Sequence, residues 1–129
     1  MNVNKLLDTC ILIDFSHGKP AAQAFIDSLE LAPCISVLTV TEILAGIRNQ
    51  REQVLFENLF SLWEVLPVTQ TIATQGGKWL NQYLRSHGTD FVDAILAASA
   101  KVHHLELVTC NIKHFPMFPQ LAAPYSTSL

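Results

Sequence analysis

The sequence has little of what would place it in several common classes. Cysteine occurs three times, at Cys10, Cys34 and Cys110. The number is odd and no two are spaced C-x-x-C, which argues against a disulfide framework and against a structural zinc site. Only 15% of residues are charged, and the net charge is −3. A protein that coats nucleic acid draws its affinity from neutralising phosphates and is usually basic, so that class is disfavoured. An enzyme whose bound metal supplies the local positive charge is still compatible with this balance. No apolar run approaches the ~18 residues of a membrane span. Met1-Asn2-Val3-Asn4-Lys5 runs straight into a strand-like stretch, without the apolar core and cleavage site of a secretory leader. The chain therefore reads as cytoplasmic. Glycine and proline are scattered, and there is no linker, repeat or low-complexity tract.

What is present is ample apolar material. Half of the 129 residues are hydrophobic, enough for one core, and the length fits a single domain spanning 1–129. Lys5-Leu6-Leu7-Asp8 reads as a short buried strand that ends on an acid. Residues 9–15 follow as a helix closed near Ser16-His17-Gly18. Pro20 opens a second helix, with Ala21, Ala22, Phe25, Ile26 and Leu29 at helical spacing. A second strand is predicted at 33–37 and a helix at 39–48. Residues 50–63 form a further helix, whose stripe of Phe56, Phe60 and Trp63 suits either core or an exposed docking face. A third strand spans 64–68, with Pro67 suggesting a sheet edge. A long amphipathic helix through 72–84 ends near Gly88. Residues 91–102 make a helix apolar on nearly every side, hence central. A fourth strand at 106–109, a helical turn at 112–115 and a weak last strand near 122–126 complete the chain.

Strands alternating with helices imply an α/β fold. The sheet should be short and mostly parallel, of four to five strands, flanked by helices on both faces. In such sheets ligands bind beyond the carboxyl ends of the strands. Asp8, Glu42, Asp93 (with Asp90 just ahead of it) and Asn111 all fall there. Each has an ordinary reading. Asp8 and Asn111 could cap the segments that follow them, Thr39 and Glu42 match a capping box, and so do Asp90 and Asp93. Asp93 fits that reading least, because an acid in so apolar a helix is buried at a cost. Two carboxylates about 5.5 Å apart repel by roughly 3 kcal/mol at an effective dielectric near 20. A cluster of four would be stabilised by divalent cations, and oxygen ligands suit Mg²⁺ or Mn²⁺ better than zinc.

Four stretches carry a resemblance when taken in order: Leu6-Leu7-Asp8-Thr9, Thr39-Val40-Thr41-Glu42-Ile43-Leu44-Ala45-Gly46, Asp90-Phe91-Val92-Asp93-Ala94-Ile95-Leu96-Ala97-Ala98, and Leu107-Val108-Thr109-Cys110-Asn111 with Lys113-His114-Phe115. Order, spacing and length resemble the PIN-domain ribonucleases, and within them the VapC-type toxins of toxin–antitoxin pairs. The resemblance implies a PIN-like fold, Mg²⁺- or Mn²⁺-dependent cleavage of RNA (tRNA or another structured RNA), a homodimer, and a cognate VapB-type antitoxin. It places catalytic roles on Asp8, Glu42, Asp93 and Asn111 and metal ligation on Asp8, Asp93, Glu42 and the auxiliary Asp90. Thr9 and Thr109 stand where hydroxyls could support the ligands, or could be ordinary strand-end residues. Cys10 and Cys110 depart from the pattern, standing where relatives commonly have asparagine and arginine. Arg48, Arg51, Lys78, Arg85 and Lys113 are candidate RNA contacts or plain surface charges. His114 either approaches the site or packs beside Phe115.

Other classes can be weighed. A phosphatase of the haloacid dehalogenase type needs a second Asp two residues after Asp8, where Cys10 stands. A receiver domain needs its acid at a later strand and a Lys after the last, and neither is clear. The main alternative is a non-catalytic PIN-like protein-interaction domain. The retained acids argue against it.

Overall fold

In the computed structural model of the chain, residues 3–126 are described. They form four strands, six α-helices and one short 3-10 turn. The strands are β1 (Lys5–Leu7), β2 (Cys34–Ser36), β3 (Glu64–Leu66) and β4 (Glu106–Val108). They pair in parallel in the order β3-β2-β1-β4. The helices are α1 (Thr9–Ser16), α2 (Pro20–Asp27), α3 (Val37–Ala45), α4 (Gln50–Leu62), α5 (Gln70–His87) and α6 (Phe91–His103), and the 3-10 turn spans Ile112–His114.

Strand side chains alternate between faces, and the core divides accordingly. Leu6, Cys34, Leu66 and Leu107 point to one face, where Leu96, Ala97 and Ala100 of α6 and Phe115 cover them. Leu7, Ile35 and Val108 point to the other, under Ile11 and Leu12 of α1, Ile43 of α3 and Phe56 of α4. Both faces are thus apolar, which is why the strands read as short continuous hydrophobic runs. Helix α6 is buried without interruption from Asp93 to Ala100, as its all-round apolarity predicts. The ambiguous stripe on α4 is core. Phe56 is buried, its ring stacks on that of Phe60 at 6.0 Å, and Phe60 and Trp63 pack partly buried on the same cluster.

Element ends shift by a few residues, α3 closing at Ala45 and β3 at Leu66, and two departures from the sequence reading have a clear physical cause. Helix α3 begins at Val37 rather than Thr39, because the Ser36 side chain accepts from the Leu38 amide and starts the helix. Thr39 and Glu42 therefore lie inside the helix and make no capping box, and Glu42 sits in the second turn. The weak fifth strand expected at 122–126 is absent among the described residues, and the sheet has four strands. Residues 119 and 124 are prolines, which lack a ladder donor. That segment is instead held by side chains, Leu121 on the first core cluster and the Tyr125 hydroxyl donating to Asp14 Oδ2 at 2.8 Å.

From β1 the chain moves outward to β2 and β3, then returns through α5 and α6 to place β4 on the other side of β1. That reversal opens a crevice beyond the carboxyl ends of β1 and β4.

Candidate active site

Asp8 is at the centre of that crevice. It follows β1, and its amide donates to the Val108 carbonyl at 2.9 Å, which extends the β1–β4 ladder by one residue. Its side chain turns back over α1, where Oδ1 accepts from the Thr9 amide at 2.7 Å. Oδ2 accepts from the Thr109 hydroxyl at 2.8 Å. Asp8 is therefore the helix cap of the ordinary reading and also a buried acid in the crevice. Burial pushes its carboxyl above the usual carboxylate range, against the pull of the two hydrogen bonds, and the charge of Glu42 pushes the same way.

Glu42 reaches the site from α3. The Thr9 hydroxyl donates to its Oε1 at 2.6 Å and lies 3.1 Å from the buried Thr39 hydroxyl. Thr39, singled out by sequence only as a cap, thus supports the crevice from below. Glu42 itself is exposed.

Asp93 arrives from α6. The capping box expected for Asp90 and Asp93 is present. Asp90 Oδ1 accepts from the Asp93 amide at 2.8 Å, and Asp93 Oδ2 accepts from the Asp90 amide at 3.1 Å. The capping reading thus accounts for Asp93 better than its apolar surroundings suggested. It does not remove the electrostatic cost. Burial, opposed by the Asp90 amide and reinforced by the charges of Asp90 and Asp8, pushes Asp93 up to about 6. His114 Nδ1 stands 3.3 Å from Asp93 Oδ2, which resolves the histidine's position in favour of the site. It is fixed there by the Thr89 hydroxyl, which donates to its carbonyl at 2.6 Å. Gly88, left-handed at φ 66°, turns the chain into this contact.

The remaining residues are placed around these acids. Asn111 is exposed beyond β4, its amide donating to the Thr109 hydroxyl at 3.0 Å, and its side chain makes no capping bond. Cys10 and Cys110 meet across the crevice wall, the Cys110 amide donating to Cys10 Sγ at 3.5 Å. Burial raises the Cys10 thiol above its usual range, so it stays protonated.

Among the described residues, no group of three His, Cys, Asp or Glu side chains is disposed to hold an ion as it stands. Glu42 is tied to Thr9 and Asp93 to the Asp90 amide. The chemistry of the donors nevertheless fits a hard divalent cation. They are oxygens, two of them on buried acids whose ionisation is resisted by burial and by neighbouring carboxylates, Glu42 for Asp8 and Asp90 and Asp8 for Asp93. A cation would offset both penalties.

Fold and site together define a small parallel α/β domain with an acidic crevice at its topological switch point. The PIN domain profile matches residues 5–118, and the chain belongs to the PIN-domain family. It is 42% identical over 127 residues to the ribonuclease VapC19 of Mycobacterium tuberculosis, covering 94% of this chain and 99% of that protein. It is 36% identical over 124 residues to the ribonuclease VapC10 of the same species, covering 94% and 92%. Among solved structures, a toxin–antitoxin complex from Klebsiella pneumoniae superposes with a TM-score of 0.81 at 28% identity, over 95% of this chain and 98% of that one.

Proposed function

We propose that the chain is a VapC-type endoribonuclease toxin that hydrolyses RNA phosphodiester bonds with Mg²⁺ or Mn²⁺ and is neutralised by a cognate VapB-type antitoxin. The observation that carries this reading is the pair of buried acids, Asp8 and Asp93. They converge from β1 and α6, and burial and like charge drive both above the ordinary carboxylate range. In this reading Asp8 and Asp93 hold the cation, and Glu42 and Asp90 complete the pocket once Glu42 leaves Thr9. When bound, the cation would lower the pKa of a water and neutralise charge on the scissile phosphate. Thr109 and Thr9 fix the orientation of Asp8 and Glu42 through the hydrogen bonds already described. His114 keeps Asp93 turned into the crevice, and Asn111 orients water or substrate at its rim. Attack by water leaves a 5′-phosphate and a 3′-hydroxyl.

The chain is read as one domain that acts as a homodimer in the cytoplasm. Among the described residues no helix is long and apolar enough to cross a membrane. The relatives' naming as ribonucleases and the neighbouring toxin–antitoxin complex support the choice of substrate and partner.

The test is cleavage of total RNA by antitoxin-free protein with Mg²⁺, with Mn²⁺ and with chelator, comparing wild type with Asp8→Asn and Asp93→Asn. Discrete metal-dependent fragments bearing 5′-phosphates, absent in both variants, are expected. Folded wild type that cuts nothing under either metal would instead assign the fold to a non-catalytic interaction domain. A 2′,3′-cyclic phosphate product would overturn the mechanism, since it marks attack by the RNA's own hydroxyl.

A further inference from the structure

The crevice is acidic, yet its substrate is a polyanion, so the positive charge that holds the rest of the RNA must lie elsewhere. Part of the chain's positive charge is already engaged, while Lys78, Arg85 and Lys113 are exposed. The chain has eight lysines and arginines in all. Lys5 is spent in an ion pair with Glu106 at 2.7 Å, Lys19 stands 3.9 Å from Asp14, and Lys101 lies over the Trp79 ring. Two of the three arginines, Arg48 and Arg51, line a single pocket of about 340 Å³ with His17, Gly18 and Gln23. No carboxylate lines it.

The pocket is built rather than incidental. Beneath it lies the Glu52 side chain, only 3% exposed. Glu52 Oε1 accepts from the Arg48 amide at 2.9 Å and Oε2 from Arg48 Nε at 3.0 Å, with Arg48 Nη2 closing the fork. The Arg48 guanidinium is thus held from behind by a buried acid, and its other N–H groups have no partner among the described residues. Arg51 donates from Nη2 to the Ser16 carbonyl at 3.2 Å, which ties it to the end of α1, and the same nitrogen stands 3.9 Å from Glu52 Oε2. Both guanidinium side chains are more than half exposed, at 57% and 65%. Fixed forks with free donors suit the oxygens of a phosphate. Helix α1 connects this pocket to the crevice. It starts beside Asp8 and ends at Ser16, and its eight residues span roughly 12 Å at 1.5 Å each.

We propose that the Arg48–Arg51 pocket is a phosphate subsite that grips the RNA backbone some way along the strand from the bond being cut. The proposal rests on the ribonuclease reading and adds the place where the substrate is held. Arg51 is the residue to test, because removing Arg48 would leave the buried Glu52 with only Arg51, 3.9 Å away, as a counter-charge. Binding of a fluorescent single-stranded RNA of about ten nucleotides is followed by anisotropy across a salt series. The protein carries Asp8→Asn so that it binds without cutting.

Adding Arg51→Ala is expected to weaken binding about tenfold and to lower the slope of log K against log salt by about 0.7. Arg51→Lys should keep the slope while losing part of the affinity. A dinucleotide, too short to span both sites, should bind the two proteins alike. Unchanged affinity and slope in Arg51→Ala would overturn the subsite. So would loss of antitoxin binding with RNA binding intact, which would give the pocket to an acidic segment of the partner. Failure of the Asp8→Asn protein with Arg51 intact to bind RNA at all, together with no cleavage by wild type, would count against the ribonuclease reading itself.

Discussion

The Thr109 hydroxyl donates to Asp8 Oδ2 and accepts the Asn111 amide, so one proton and one lone pair tie the end of β4 to the central acid. With valine in its place the shape is nearly kept, but Asp8 loses the side-chain hydrogen bond that most opposes its burial. Thr109→Val is therefore expected to raise the Asp8 carboxyl further and to cost roughly 10- to 100-fold in metal affinity or activity. The acidic limb of the pH–rate profile should move to higher pH. A profile that stays in place with only its height reduced would mean that Thr109 acts by packing. The sequence made Asp8, Glu42 and Asp93 legible, because an acid after an apolar run or inside an apolar helix is conspicuous. It did not reveal Thr39 as a support for Thr9, nor which way His114 turns. Both depend on side-chain direction between elements far apart in sequence, which spacing does not encode.

Helix α5 carries two adjacent glycines that sequence treats alike, each weakening the helix by about 1 kcal/mol against alanine. The structure separates them. A Cβ on Gly76 would meet Ile95 Cδ1 at 3.0 Å and the Ala94 carbonyl oxygen at 3.4 Å, so this glycine lets α5 approach α6. A Cβ on Gly77 would meet nothing within 4 Å. Gly77→Ala is expected to stabilise the protein by up to about 1 kcal/mol, whereas Gly76→Val should destabilise it by about 1–3 kcal/mol through overpacking. Denaturant midpoints measure both, and equal effects at the two positions would refute the close approach. The elements themselves were largely readable from periodicity, glycines and prolines. The start of α3 was not, because Thr39 and Ser36 are both good caps and only the fold shows that Ser36 takes the role. The fifth strand failed for a related reason. A short apolar tail beside an edge strand has the composition of a strand, and its prolines leave side chains to dock it.

At the scale of the whole molecule the crevice joins parts that reach it from different elements, since Asp8 follows β1, Glu42 lies on α3 and Asp93 on α6. Without a cation these acids oppose the closure of the fold around them. The sign follows from Asp93, whose folded value of about 6 lies above the ordinary 3.8. A folded acid with a raised pKa holds its proton more tightly than the unfolded chain does. The contribution of Asp93 to stability is therefore greatest at low pH and falls as pH rises from about 3.8 through about 6. Burial moves Asp8 in the same direction. A divalent cation binds the ionised form, so its stabilisation should be small below this window and large above it. At a metal concentration near one hundred times Kd the gain would be about 2.7 kcal/mol. Thermal melts in chelator and in Mn²⁺, run from below about pH 3.8 to above about pH 6 so that they cover the range where Asp93 ionises, read this directly. Tm in chelator is expected to decline toward pH 7 and the gain from Mn²⁺ to grow, with Asp93→Asn flattening both trends. A Mn²⁺ gain that is independent of pH, or that survives in Asp93→Asn, would place the ion somewhere other than between these acids.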